Sequence, residues 1–206
     1  MNSVILFLHG AGERGTDGIR QKETGLGPAI RKHPVDAIVV YPQLPPGAQW
    51  LGAHADAAMQ ALDDAIRDFD GDPQRVYLTG ISLGGYGVWH LALAHPDRFA
   101  ALVPVCGGIV PNGSAESVRQ SPLTMRANDP YTFTAHALRD IPIWMFHGAD
   151  DTVISPAESR TMHAALLREG AAVRYTEYEG IAHNAWTRAY AEPELWQWLL
   201  AQRQRN

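Results

Sequence analysis

A single cysteine, Cys106, stands in 206 residues. No internal disulfide can form, and such sparing use fits a reducing compartment. Positive charge is also scarce: 17 Lys and Arg face 22 Asp and Glu, a formal net charge of −5. That balance offers no electrostatic footprint for nucleic acid or an anionic membrane surface. No apolar run approaches the roughly 20 residues that a membrane span needs. The opening "MNSVILFLHG" has neither a basic leading segment nor a small-residue cleavage site, the marks of an export signal. These absences lead to the expectation of a cytoplasmic protein. Repeats, low-complexity stretches and linkers are missing too, so one domain over residues 1–206 is expected, with a sizeable core.

What is present is an alternation of two periods. Ser3–Leu8, Ala37–Tyr41, Arg75–Thr79, Ala101–Val105, Ile143–His147 and Val173–Glu177 read as strands. Most are nearly continuous in branched and aromatic residues, the pattern of strands buried on both faces. His54–Phe69, Gly84–Pro96, Ser155–Gly170 and Pro193–Arg205 read as helices. Asp72–Pro73 is expected to stop the first of these, while Ser155 caps the third and Gly170 closes it. Strand–helix alternation implies an α/β fold with a mostly parallel sheet covered on both faces. Gly107 to Leu138 breaks the rhythm, being rich in Pro, Ser, Asn and Asp. A stretch of that length is expected to be functional, such as a modest lid, or to hold irregular helix.

"LFLHGAGERG" places Gly10, Gly12 and Gly15 in the spacing of a dinucleotide fingerprint. That reading fails on context. The third glycine should open a packed helix, yet "TDGIRQKETG" follows, polar and without an apolar stripe. The second strand ends "VVYPQ", without the required carboxylate, and no Gly-Lys-Ser/Thr follows to make a phosphate loop. No cofactor is therefore expected. The histidines show no spacing such as H-E-x-x-H, so no metal is expected either.

The strongest signal is "YLTGISLGGYG", in which Gly80, Ser82 and Gly84 match G-x-S-x-G between a strand and a helix. A serine on so tight a turn leaves no room for side chains two residues away on either side. The helix start directs free N–H groups and positive dipole at the serine. A serine hydroxyl needs a base, and the base needs an orienting acid. Of nine histidines, His183 in "YEGIAHNAW" lies between the last strand and the last helix, where a base must hang. His90, His95 and His163 fall on helices, His33 and His54 flank elements, His136 lies in the irregular stretch, and His147 ends a strand. Asp150 and Asp151, in "WMFHGADDTVISP", are the candidate acids. The order Ser, Asp, His is that of α/β-hydrolases. The glycine loop then supplies an oxyanion donor, with the N–H groups of Ala11 and Leu83 as candidates.

These motifs, with "VYLTGISLGGYGVWHLALAHPDRFAALVPVCGG", "MFHGADDTVISPAESRTMHAAL" and "GIAHNAWTRAY", resemble the single-domain bacterial esterases of the α/β-hydrolase superfamily. The likeness is to the phospholipase/carboxylesterase, or dienelactone-hydrolase-like, group. It covers nearly the whole chain. Its H-G-x-x-D pattern lands on His147, Gly148 and Asp151, its nucleophile on Ser82, its base on His183 and its oxyanion donor on Ala11. Dienelactone hydrolases proper carry a cysteine where this chain has Ser82, so that activity is not implied. Relatives also place one or two antiparallel strands ahead of the first strand read here. A sheet lacking them has a less protected edge, and pairing of two copies there is an expectation.

The resemblance implies a serine carboxylesterase acting on small, short-chain or soluble esters. Thioesterase or peptidase action with the same triad, or a non-catalytic binder of this fold, are the alternatives. Trp50, Tyr86 and Trp186 are candidate substrate-lining residues, each with core packing as the competing reading. Glu13 and Arg14 are expected to pair and shape the oxyanion loop, Trp196 and Trp198 to anchor the last helix, and Cys106 to be a buried inert thiol.

Overall fold

The computed structural model describes residues 1–111, 120–125 and 127–204. Its strands are β1 (Asn2–Leu8), β2 (Ala37–Val40), β3 (Gly71–Ile81), β4 (Ala101–Val105), β5 (Ile143–Gly148) and β6 (Val173–Tyr178). The helices are α1 (Leu26–Lys32), α2 (Ala53–Asp68), α3 (Leu83–Ala94), α4 (Pro130–Leu138), α5 (Ala157–Arg168), α6 (Trp186–Ala189) and α7 (Pro193–Leu200). The strands form one sheet in the order β2-β1-β3-β4-β5-β6, and every neighbouring pair is parallel. The order reverses between β1 and β3, so the loops after these two strands diverge and leave a crevice at their carboxyl ends.

The continuous apolar strands are buried on both faces, as their composition requires. Along β1, Val4, Leu6 and Leu8 point to one side, into a core shared with α2, α3, α4 and α5. Ile5 and Phe7 point to the other, into a core completed by α1 and α7. Stacked and edge-on aromatic pairs tie α7 and the segment before it to the sheet, including Trp144 with Trp198 and Tyr190 with Trp196. Both C-terminal tryptophans thus anchor the last helix. No helix among the described residues is long and apolar enough to cross a membrane.

Boundaries differ from the sequence reading where side-chain chemistry intervenes. Helix α2 ends at Asp68, ahead of Asp72–Pro73, because Asp70 turns the chain with φ of 55°. Asp72 then lies inside β3, where it accepts the Gln74 N–H and pairs with Arg75 and Arg203. Helix α5 begins at Ala157, one turn position later than expected, although Ser155 Oγ still accepts the Ala157 N–H; Gly170, at φ 72°, ends it as expected. Helix α7 stops at Leu200. Three elements were not placed by the sequence reading: α1, α6, and α4, which lies within the stretch for which irregular helix was one expectation. Helix α4 is capped by Asp129, whose Oδ1 accepts the N–H groups of Tyr131 and Thr132. The centre of the expected lid, residues 112–119 and 126, lies outside the described residues.

Candidate active site

Ser82 occupies the turn between β3 and α3 with φ of 53°, a left-handed conformation costly for a residue with a side chain. The flanking glycines make the turn possible. A Cβ on Gly80 would stand 2.4 Å from the Gly84 carbonyl oxygen, and one on Gly84 would stand 1.9 Å from that of Leu8. Both obstacles are backbone and cannot yield. The strain is therefore held by the packing of β1, β3 and α3 on one another, and it lifts the serine hydroxyl clear of the sheet.

His183 hangs from the loop after β6, as the sequence predicts. Its Nε2 lies 2.9 Å from Ser82 Oγ, and its Nδ1 lies 2.7 Å from Asp151 Oδ2. The carboxylate can only accept, so Nδ1 carries the proton and Nε2 is the acceptor for the serine hydroxyl. Between the two aspartates, Asp151 is buried and reaches the histidine, whereas Asp150 is exposed in the turn. Burial pushes the Asp151 carboxyl upward. Hydrogen bonds from His147, His183 and the Ile154 amide outweigh that effect and hold it well below the ordinary carboxylate range.

The two candidate oxyanion donors sit at helix starts. Ala11 opens a short 3-10 turn, Ala11–Glu13, and Leu83 opens α3, so neither N–H has a partner within its own helix. Gly10 brings the first loop against the nucleophile: a Cβ there would lie 3.5 Å from Ser82 Cβ. The loop is fixed from beneath by His9. Its Nδ1 donates to the Gly10 carbonyl at 2.6 Å and its Nε2 accepts the Leu44 N–H at 2.9 Å. Burial lowers the His9 pKa to about 4, against the Gly10 hydrogen bond and with help from the Arg14 charge.

Trp50 is buried, and its indole N–H donates to the His9 carbonyl at 3.0 Å while the ring packs edge-on against His9. It both braces the loop after β1 and lines a cleft of about 20 Å³ with Leu83, Tyr86, Trp89 and Ile109. Tyr86 is buried with its hydroxyl unpartnered; burial raises the phenol pKa, and the charges of Glu158 and Asp151 add to the effect. Trp186 opens α6 and sets its ring edge-on to His183, 5.5 Å between centroids. Trp186 thus stands against His183, while Trp50 and Tyr86 line the cleft beside Leu83. The expected Glu13–Arg14 pair does not form among the described residues: Arg14 Nε is buried without a partner, and burial lowers its pKa. Glu13 instead folds back over Gly10, where its Oε2 would be 2.9 Å from an added Cβ.

The supporting roles of three groups escaped the sequence reading, although the H-G-x-x-D pattern includes His147. His9 and His147 share a signal, a His-Gly pair ending a strand. Glu158 of α5 is buried; its Oε2 accepts the Ile109 and Val110 N–H groups and its Oε1 takes the Tyr131 hydroxyl at 2.7 Å. It thereby ties the segment after β4 to the cleft wall. Cys106 is fully buried, and burial pushes its thiol far up, so it stays protonated. Its Sγ lies within 4.8 Å of ligand atoms of Asp151 and His183. A protonated thiol beside a histidine and carboxylate already bonded to each other is a poor metal cradle.

A parallel sheet with a strained serine turn at its switch point, and histidine and aspartate delivered by later loops, is the arrangement of the α/β-hydrolase fold. Within it, the chain belongs to the prolyl oligopeptidase family, whose sequence pattern matches residues 48–204. It is similar to poly(3-hydroxyalkanoate) depolymerase C of Paucimonas lemoignei, with 28% identity over 136 residues, 59% of this chain and 30% of that protein. A solved thermostable esterase superposes with a TM-score of 0.77 at 30% identity, covering 98% of this chain and 54% of the other. The acylaminoacyl peptidase of Pyrococcus horikoshii gives 0.67 at 16% identity, over 99% and 38%. S-formylglutathione hydrolase of Staphylococcus aureus gives 0.71 at 17%, over 96% and 84%. These last two speak for the fold alone. The chain spans about a third of the depolymerase and about half of the thermostable esterase.

Proposed function

We propose that the protein hydrolyses carboxylic esters through an acyl-enzyme on Ser82. The observation that carries this is the continuous chain Ser82 Oγ, His183 and Asp151, with links of 2.9 and 2.7 Å. His183 Nε2 takes the Ser82 proton as Oγ attacks the ester carbonyl. The carbonyl π electrons move onto oxygen, and the N–H groups of Ala11 and Leu83 receive that negative charge. Collapse breaks the ester C–O bond, and the imidazolium gives its proton to the leaving alcohol. Water then enters, loses a proton to His183, and releases the acid from Ser82. Asp151 holds the ring in the tautomer that leaves Nε2 free to accept.

The names of the depolymerase and the esterase support ester substrates. The family description and the peptidase neighbour favour amide cleavage as the second reading. A fluorophosphonate probe should label wild type and not Ser82→Ala, and the variant should lose about 10⁵-fold or more in kcat on p-nitrophenyl acetate. Full activity of Ser82→Ala would end the proposal. A panel of esters, thioesters and peptide amides then ranks the leaving groups; faster turnover of amides would replace the ester reading.

A further inference from the structure

We propose that His147 is a second positioning histidine: its Nε2–H donates to the same Asp151 oxygen that receives His183, orienting that carboxylate and sharing its negative charge. The inference rests on the serine-hydrolase reading above and adds a residue to it. His147 ends β5 and is fully buried. Its Nε2 lies 3.1 Å from Asp151 Oδ2 and 3.0 Å from the Ile154 carbonyl oxygen. Both of those groups only accept, so Nε2 must carry hydrogen. Its Nδ1 lies 2.7 Å from Ser159 Oγ on α5, which can donate and so fixes the tautomer.

The consequence for Asp151 is saturation. Oδ1 accepts the N–H groups of Val153 at 2.8 Å and Ile154 at 3.0 Å. Oδ2 accepts His183 at 2.7 Å, and the His147 Nε2–H, shared with the Ile154 carbonyl, reaches it at 3.1 Å. Four donors fill the lone-pair sites of one carboxylate, which can then turn neither toward nor away from His183. A histidine serving only the core would be satisfied by Ser159 and Ile154. This ring also reaches the charged group on which the mechanism depends. The other titratable groups around it do not compete for that role. Glu177, opposite His147 on β6, is held ionised by Arg160 and bonded by Tyr175, and Cys106 is kept protonated by burial.

The test compares wild type, His147→Gln, His147→Met and Ser159→Ala. Glutamine can present an N–H to Asp151; methionine cannot. The readouts are the pH dependence of the fluorophosphonate labelling rate, that of kcat/KM on p-nitrophenyl acetate, and thermal unfolding. His147→Met should lower kcat/KM about 10- to 100-fold, the range for one hydrogen bond to a charged group. Its acid limb should move to higher pH, because a carboxylate with one donor fewer binds the imidazolium and the proton more tightly. His147→Gln should return the limb and most of the rate, and Ser159→Ala should give a smaller shift of the same sign. A folded His147→Met with the wild-type acid limb, or equal losses in the Met and Gln variants, would overturn the proposal. Should the Met variant not fold, ¹H–¹⁵N imidazole spectra decide: a His147 Nε2–H resonance that moves when Asp151→Asn removes the carboxylate supports the role, and one that stays fixed, as a bond to Ile154 alone requires, refutes it. Absence of labelling in wild type would instead remove the serine-hydrolase reading, while the spectra would still report on the His147–Asp151 bond.

Discussion

His9-Gly10 and His147-Gly148 are the same dipeptide at the carboxyl ends of β1 and β5, yet they serve opposite ends of the site. Each histidine is fully buried and bonded at both ring nitrogens. Their tautomers are reversed. His9 carries hydrogen on Nδ1 and accepts the Leu44 N–H at Nε2, so it braces the loop that carries the proposed oxyanion donor Ala11. His147 carries hydrogen on Nε2 and turns it on Asp151, so it braces a loop that offers a permanent negative charge. The strand end dictates where each ring sits, and the partners in the next layer dictate which nitrogen holds the proton.

The largest effect that separates the two loops should come from the second. Asp151→Asn replaces an acceptor by a donor facing His183 and His147, and the His183 tautomer should invert; kcat should fall about 10⁴-fold. Steady-state rates on a short-chain p-nitrophenyl ester check this, and a loss under tenfold would mean that Asp151 is not the orienting acid. Next come the two glycines. A Cβ on Gly148 would stand 2.2 Å from the Ala182 carbonyl oxygen and 2.3 Å from that of Ile181, in the loop that carries His183. Gly148→Ala should therefore cost roughly 3 kcal/mol or more of stability. At Gly10 the nearest obstacle is the mobile end of Glu13, and φ is −78°, so Gly10→Ala should stay within about 1 kcal/mol of wild type. Denaturant unfolding of both variants tests the asymmetry, which equal losses would dissolve.

The third contrast is in pH. His9 binds a proton near 4 when folded and near its ordinary 6.5 when unfolded. Between those values the unfolded chain holds more proton, so the contribution is whole above 6.5 and lost as pH falls toward 4. The total is about 3 kcal/mol. The drop in unfolding free energy from pH 7 to 4.5 should be smaller in His9→Asn than in wild type. Protonation would also take Nε2 from Leu44, so the first loop should loosen in acid before the second.

The strands and the elbow were readable because each depends on neighbours in sequence. Buried parallel strands need runs of branched residues, and a strained serine turn needs glycines at fixed offsets. His183 and Asp151 were readable by their place after later strands, with the choice between Asp150 and Asp151 resting on the H-G-x-x-D spacing. What failed to show were groups whose partners lie far along the chain. Glu158 meets Ile109, Val110 and Tyr131; His9 meets Leu44; Trp50 meets His9. Helix α4 was hidden because its nine residues carry no clear apolar stripe and are held by the Asp129 cap and the burial of Thr134, Ala135 and Leu138. The local pairing expected for Glu13 and Arg14 gave way to a fold-back over Gly10.

By itself the sequence determined the alternation of strand and helix, the parallel sheet and the position of the strained serine turn, since all three follow from periodicity and local sterics. Only the tertiary structure decided the tautomers of His9 and His147, the four donors on Asp151 and the size of the cleft. Those depend on which donors and acceptors the packed layers bring within about 3 Å of one another, and no spacing along the chain encodes that distance.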